Sequence, residues 1–434
     1  MNLNGLLNAD MSLNGRMSYI EKDQYDKVQA QGSVELSDMK LALADIPEVD
    51  IKQSTFSFSP QYLQLSETTV NIGSNDITLD SRFENYLGFV FKGATLKGTL
   101  NVNSNKINVN DFMTSSDAPA AETEAEAQNE ADTTSMGTIR IPDNIDFRMQ
   151  ANFKQVLMNK MTFSDVKGLL VVKDSKVDMQ NLSLNAMGGN VVVNGSYATP
   201  ASEQARLNAG FALNNIGFAQ AYKELDMVQK LAPIFSNLKG NFSGNIKVNT
   251  LLDDAMSPVL NTLNGSGSLS TKDLSLSDVA FINQVATIVN KPALKDMKAK
   301  DLNLDFTIAD GRVNTKPFDI KLGDYVMNLS GSTGLDQTID YRGKITIPES
   351  AGVASKIGTV DMTIGGTFTS PKVGIDMESL AKQAAKQALT EVGKKLLGNS
   401  NNTSEEAADS TATDKQTKAE QTVGKVLDLL KKKK

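Results

Sequence analysis

The chain has 434 residues, 40% of them hydrophobic, with 44 basic and 51 acidic side chains. It contains no cysteine, histidine or tryptophan. Zinc sites of the usual kinds and Cys-His or Ser-His-Asp catalysis are therefore excluded, and nothing resembles the basic footprint of a nucleic-acid binder.

The first residues, MNLNGLLNADMSLNG, lack the basic and apolar regions of a signal peptide and read as the middle of a strand array. The expectation is an internal start, with an anchor or export segment upstream. From Leu3 to about Asp376, short runs of alternating apolar and polar residues recur every ten or so positions. Asn, Gly, Asp and Ser separate them, the pattern of strands joined by turns. Three stretches, about 11–113, 145–215 and 242–347, look like loose copies of one unit. LNGRMSYIEKDQYDKVQAQGSVELSDMKLALAD echoes FSGNIKVNTLLDDAMSPVLNTLNGSGSLSTKDLSLSD.

A β region over 1–113 is followed at 114–137 by an acidic segment holding Asp117, Glu122, Glu124, Glu126, Glu130 and Asp132. With almost no large apolar residue, it predicts a disordered insertion, a solvated tether or an acidic recognition element. A second β region covers 138–215, where Gly188 and Gly189 signal a hairpin, as Gly323 and Asp324 do later. A third covers 216–377 and carries two helical stripes. Phe218, Tyr222, Leu225, Val228, Leu231 and Phe235 form one, and Val279, Ile282, Val285, Ile288 and Val289, ended by Pro292, form the other. These predict amphipathic helices that plug an end or the concave side of the sheet. A third helix is expected over 378–398, capped by Asp376 and closed by Gly398, and a disordered linker over 399–422. A short basic amphipathic tail at 423–434 ends in lysines 431–434, a contact for anionic lipid heads or a solvated terminus.

No catalytic constellation stands out. Asp253 and Asp254 lie where a turn is expected, and no phosphate loop, EF-hand or convincing nucleophile motif occurs. The expectation is a non-enzymatic protein without cofactor or metal. The candidates for function are the apolar strand faces. Ile339, Tyr341, Ile345 and Ile347 alternate with Asp340, Arg342, Lys344 and Thr346, while Val360, Met362 and Ile364 alternate with Asp361 and Thr363. Val191 and Val193 belong to the same class. Gly195, Gly343 and Gly366 fall on the apolar side, where they suggest strong bending. Such faces line either a closed sandwich core or an open surface.

The order of FAQAYKELDMVQKLAPIFSNLKG, MNLSGSTGLDQTIDYRGKITIP and GGTFTSPKVGIDMESLAKQAAKQAL resembles the C-terminal region of the AsmA family of Gram-negative envelope proteins. Gly366, Thr367 and Phe368 followed by Pro371, Lys372 and Val373, and the strand around Tyr341, carry most of it. The resemblance covers roughly 210–397. It implies a repeating β-groove protein of the lipid-transfer kind, with an elongated, curled, taco-like antiparallel sheet and a hydrophobic trough. It further implies a periplasmic place, an inner-membrane anchor absent from this chain, and phospholipid movement in support of outer-membrane biogenesis. Partners would be phospholipid or another acyl lipid, a membrane surface, and inner- or outer-membrane proteins. The nine apolar residues from Val191 to Ile364 named above would line the groove. The alternative is a structural or interaction protein of the envelope with a closed β core and no lipid cargo.

Overall fold

The structure is a computed structural model. It describes residues 3–376 except 23, 25–26, 42–47, 113–137, 202, 277, 289–290, 297, 299–300 and 349–357. The expected insertion at 114–137, the helix at 378–398, the linker and the basic tail lie outside the described residues.

One sheet of twenty strands holds the molecule together, curled and unclosed. In chain order these are β1 Leu3–Asn14, β2 Gln29–Leu41, β3 Val49–Phe58, β4 Tyr62–Ile72, β5 Asn75–Glu84, β6 Leu96–Ser104 and β7 Ile107–Asn108. Next come β8 Ile145–Met158, β9 Met161–Lys173, β10 Lys176–Ala186, β11 Gly189–Ala198, β12 Arg206–Gly217, β13 Leu238–Leu251 and β14 Asn264–Leu276. The last are β15 Asn303–Ala309, β16 Arg312–Leu322, β17 Tyr325–Gly334, β18 Ile339–Thr346, β19 Thr359–Gly366 and β20 Pro371–Ile375. Apart from β6 and β7, which both pair with β8, each strand pairs with its neighbours in sequence, so the sheet is close to a meander with β1 and β20 as its edges. At about 4.8 Å per strand it extends on the order of 90 Å along its hydrogen-bonding direction.

The expected antiparallel order has one exception among the described strands. β6 and β7 run parallel to β8, Leu96 opposite Ile145 and Ile107 opposite Val156. A parallel pair needs a connection that returns along the strands. The connection from β7 to β8 spans residues 109–144, of which 113–137 lie outside the described residues. Tight turns join most other strands. Between β10 and β11 the turn residues are Met187 (φ 51°) and Gly188 (φ 79°), both left-handed as a two-residue hairpin requires.

The sheet has one apolar face, and its continuity follows from register. Cross-strand partners share a face. A single row of partners runs from Leu100 through Met149, Leu170, Met179, Gly195, Ala209 and Val248 to Ile308, and on to Ile339. No charged side chain interrupts it. The other face carries exposed ion pairs such as Lys344–Asp361 and Lys316–Asp305, worth little to stability individually.

Glycines on the apolar face let strands approach. A methyl at Gly343 would run into the Asn328 carbonyl oxygen, and one at Gly195 into that of Asn208. Gly98 lies between Phe83 and Phe147, whose ring centroids are 5.6 Å apart.

Helices come from the connections. α1 (Met17–Glu21) and α2 (Tyr86–Lys92) sit at one rim, where the Lys92 ammonium donates to the Glu21 carbonyl at 3.0 Å. α3 (Phe218–Glu224) and α4 (Asp226–Leu231) join β12 to β13, and α5 (Ala280–Ile288) lies between β14 and β15, both from the opposite rim. The stripe from Phe218 to Phe235 is thus not one helix. Leu225 is extended (φ −116°, ψ 103°), Ala232 leaves the helical region before Pro233, and a 3-10 turn covers Pro233–Asn237. Pro233 disfavours helical backbone at the residue before it.

Candidate functional site

Two halves of the apolar face differ in what covers them. Over β11–β20 helices cover much of it, with Phe211, Leu213 and Ile246 left half-buried. Phe218 and Ala221 of α3 and Phe281, Ile282, Val285 and Ala286 of α5 join the strand residues in one buried cluster. Phe218, Phe235 and Phe242 pack ring on ring at 4.8–5.5 Å. Leu231 of α4 reaches across to Val248, Phe306 and Ile308 in a second cluster. Gln284 of α5 also grips the free edge of β20. Its amide donates to the Pro371 carbonyl at 2.7 Å and its oxygen accepts from the Val373 amide at 3.1 Å.

Over β3–β9 no helix joins the apolar face in a buried cluster among the described residues, although the smaller Val102 and Ala151 on it are themselves buried. Phe56, Phe58, Leu63, Leu65, Leu79, Phe83, Leu100, Phe147, Met149, Leu170 and Val172 are only half-buried. At the β1 edge the same face is exposed outright: Leu7 is 62% and Leu13 78% accessible. Side chains of this size avoid water unless something else covers them. The open half is a trough with an aliphatic floor, and at Phe83 and Phe147 an aromatic one.

The nine residues expected from sequence all lie on the apolar face, but at its covered end. Val191 and Val193 are on β11, Ile339, Tyr341 and Ile345 on β18, Ile347 just beyond it, and Val360, Met362 and Ile364 on β19. Eight are buried, from Ile345 at 1% to Ile347 at 9% accessible. Tyr341 is half-buried, with its hydroxyl 3.1 Å from that of Thr333. These residues form packed interior beneath α3 and α5 and do not line an uncovered channel. Sequence reasoning placed them on the right face and missed the open stretch. The signal for that stretch was the same alternation, in ITLDSRF (77–83) and IDFRMQANF (145–153).

The covered half still encloses space. An apolar cavity of about 150 Å³ lies between Phe218, Phe235 and Phe281 on the helical side and Leu304, Phe318, Tyr341 and Ile364 on the sheet side.

Perturbed titrating groups serve structure. Burial pushes Tyr197 up to about 12; its hydroxyl donates to the Ile139 carbonyl at 2.8 Å and ties the returning connection to the rim. Burial likewise raises Tyr341. Burial opposes the Asp76 carboxylate, but donors from the Lys106 and Asn105 backbone and the Asn105 and Ser104 side chains outweigh it and hold the pKa below the usual range. Asp253 accepts from the Ala255 and Ser257 amides at 3.0 and 2.8 Å, so it builds the turn. Among the described residues no cluster of three or more acidic side chains is disposed to hold a metal.

No family model, characterised protein or solved structure matches the chain.

Proposed function

We propose that the protein is a non-enzymatic carrier of acyl lipid, with the open half of the trough as the binding surface. The observation that supports this is the uncharged row of cross-strand partners from Leu100 to Leu170, half-buried and without a helical cover among the described residues. Each methylene removed from water is worth about 0.8 kcal/mol, so a phospholipid with about thirty methylenes faces a gross cost near 24 kcal/mol in crossing water bare. A continuous apolar floor removes most of that barrier, and an open trough leaves the charged head in water, avoiding the cost of burying it. The resemblance of the C-terminal third extends the reading to phospholipid movement between the inner and outer membranes of a Gram-negative envelope, from a periplasmic site. Selectivity would be loose, since an aliphatic wall offers few directed hydrogen bonds.

A closed structural module of the envelope is the second reading. The packing of β11–β20 under α3 and α5 favours it.

Extraction of a fluorescent phospholipid from vesicles by the purified chain separates the two. Met149 faces the trough and its neighbour Gln150 faces water. Met149→Asp is expected to cut extraction at least fivefold, with Gln150→Asp close to wild type. Equal extraction by the two variants at equal folded concentration, or none by the wild type, contradicts the carrier reading.

A further inference from the structure

The cavity beneath the helices lies on the same apolar face as the trough, with β11–β13 between them. A row of cross-strand partners, Leu184, Val191, Leu213, Gly244, Leu269 and Leu304, leads from β10 to its wall. Gly244 has no side chain to obstruct the row, and a Cβ there would strike the Ser268 carbonyl oxygen. Five strand spacings make the row roughly 24 Å long, the length of an extended chain of about eighteen carbons.

The chemistry of the wall restricts the occupant. No charged side chain lines it. Its three polar side chains are already engaged. Thr271 Oγ1 accepts from the Leu302 amide at 2.9 Å, Thr315 Oγ1 donates to the Gly331 carbonyl at 3.2 Å, and the Tyr341 hydroxyl pairs with Thr333. A water needs two to four polar partners, whereas a void of about this size lined by Leu, Ile and Phe stays dry and takes up small hydrocarbons. A lipid headgroup would be desolvated there with nothing to replace its water.

We propose that this cavity seats the methyl end of a single acyl chain. The rest of the chain leaves the cavity past Leu269 and Leu304, and the polar head points back toward the open half. The helical cover then acts as a stop, fixing which end of the lipid faces β20. The inference rests on the acyl-lipid reading above.

Two photoreactive palmitate analogues test it on the full chain, one with a diazirine at the terminal carbons and one with it beside the carboxylate. Labelled residues are mapped by proteolysis and mass spectrometry. The chain-end probe is expected on peptides carrying Phe281, Leu304 and Phe318, and the near-carboxylate probe on β8–β10. Filling the cavity with the double variant Leu269→Phe, Leu304→Phe is expected to lower chain-end labelling there at least tenfold while near-carboxylate labelling persists. Chain-end labelling confined to β1–β10 in the wild type overturns the cavity assignment and leaves the carrier reading standing. No labelling of the apolar face by either probe overturns both. The wild-type map decides even if the double variant does not fold.

Discussion

Ile345 and Met149 are large apolar side chains on one face of one sheet, yet their surroundings give them different energetic weights. Ile345 is 1% accessible beneath the helical layer, and Met149 is half-buried on the open floor. Truncating a buried Ile leaves a cavity and costs about 2–5 kcal/mol. Removing a half-exposed Met forfeits about 1 kcal/mol of burial. Urea unfolding should therefore show Ile345→Ala well below wild type and Met149→Ala close to it. Equal losses would mean that the open half is packed as tightly as the covered half. The same contrast sets how charge can probe the trough. An aspartate at Ile345 would be an unpaired buried charge and would report on folding, whereas Met149 reports on the surface itself. Period-two alternation placed Ile345 on the apolar face, and the same pattern in IDFRMQANF holds Met149 there. It did not show which was covered, because cover comes from elements distant in sequence.

At the scale of elements, the strands were the most legible and the helices only partly so. Strands such as β18 and β19 announce themselves by alternation and turn residues. The stripe at 279–289 gave α5 because its apolar positions recur at helical spacing. The longer stripe at 218–235 broke into α3, α4 and a 3-10 turn because Pro233 and the extended Leu225 interrupt what the spacing alone joins. α2 was missed because YLGFVFK is built from aromatic and β-branched residues that also suit a strand. The parallel pairing of β6 with β8 was invisible, since alternation carries no strand direction. α5 also acts where no periodicity points: through Gln284 it satisfies two outward groups of β20, the Pro371 carbonyl and the Val373 amide, on an edge otherwise open to pairing with another chain. Gln284→Ala should leave the Val373 amide without that partner and cost about 1–3 kcal/mol. Amide hydrogen exchange at Val373 should then accelerate well beyond that at Val360, in the interior of the neighbouring strand. Unchanged exchange at Val373 would show that the side chain does not hold the edge.

Among the described residues the molecule is asymmetric. One end of its apolar face is largely covered by helices and clasped at the edge. The other end has a bare edge strand with Leu7, Met11 and Leu13 in solvent. A sheet that served only as a structural core would gain by covering both halves alike, since each buried methylene lowers the free energy. Among the described residues nothing layers over most of β3–β10, which makes sense if a ligand supplies that layer. The most direct test is lipid mass spectrometry on the purified, folded chain after organic extraction. The account predicts about one or more acyl lipids per chain, strongly depleted in Met149→Asp and retained in Gln150→Asp. A folded wild-type chain that carries no acyl lipid, and acquires none when incubated with vesicles, would contradict it.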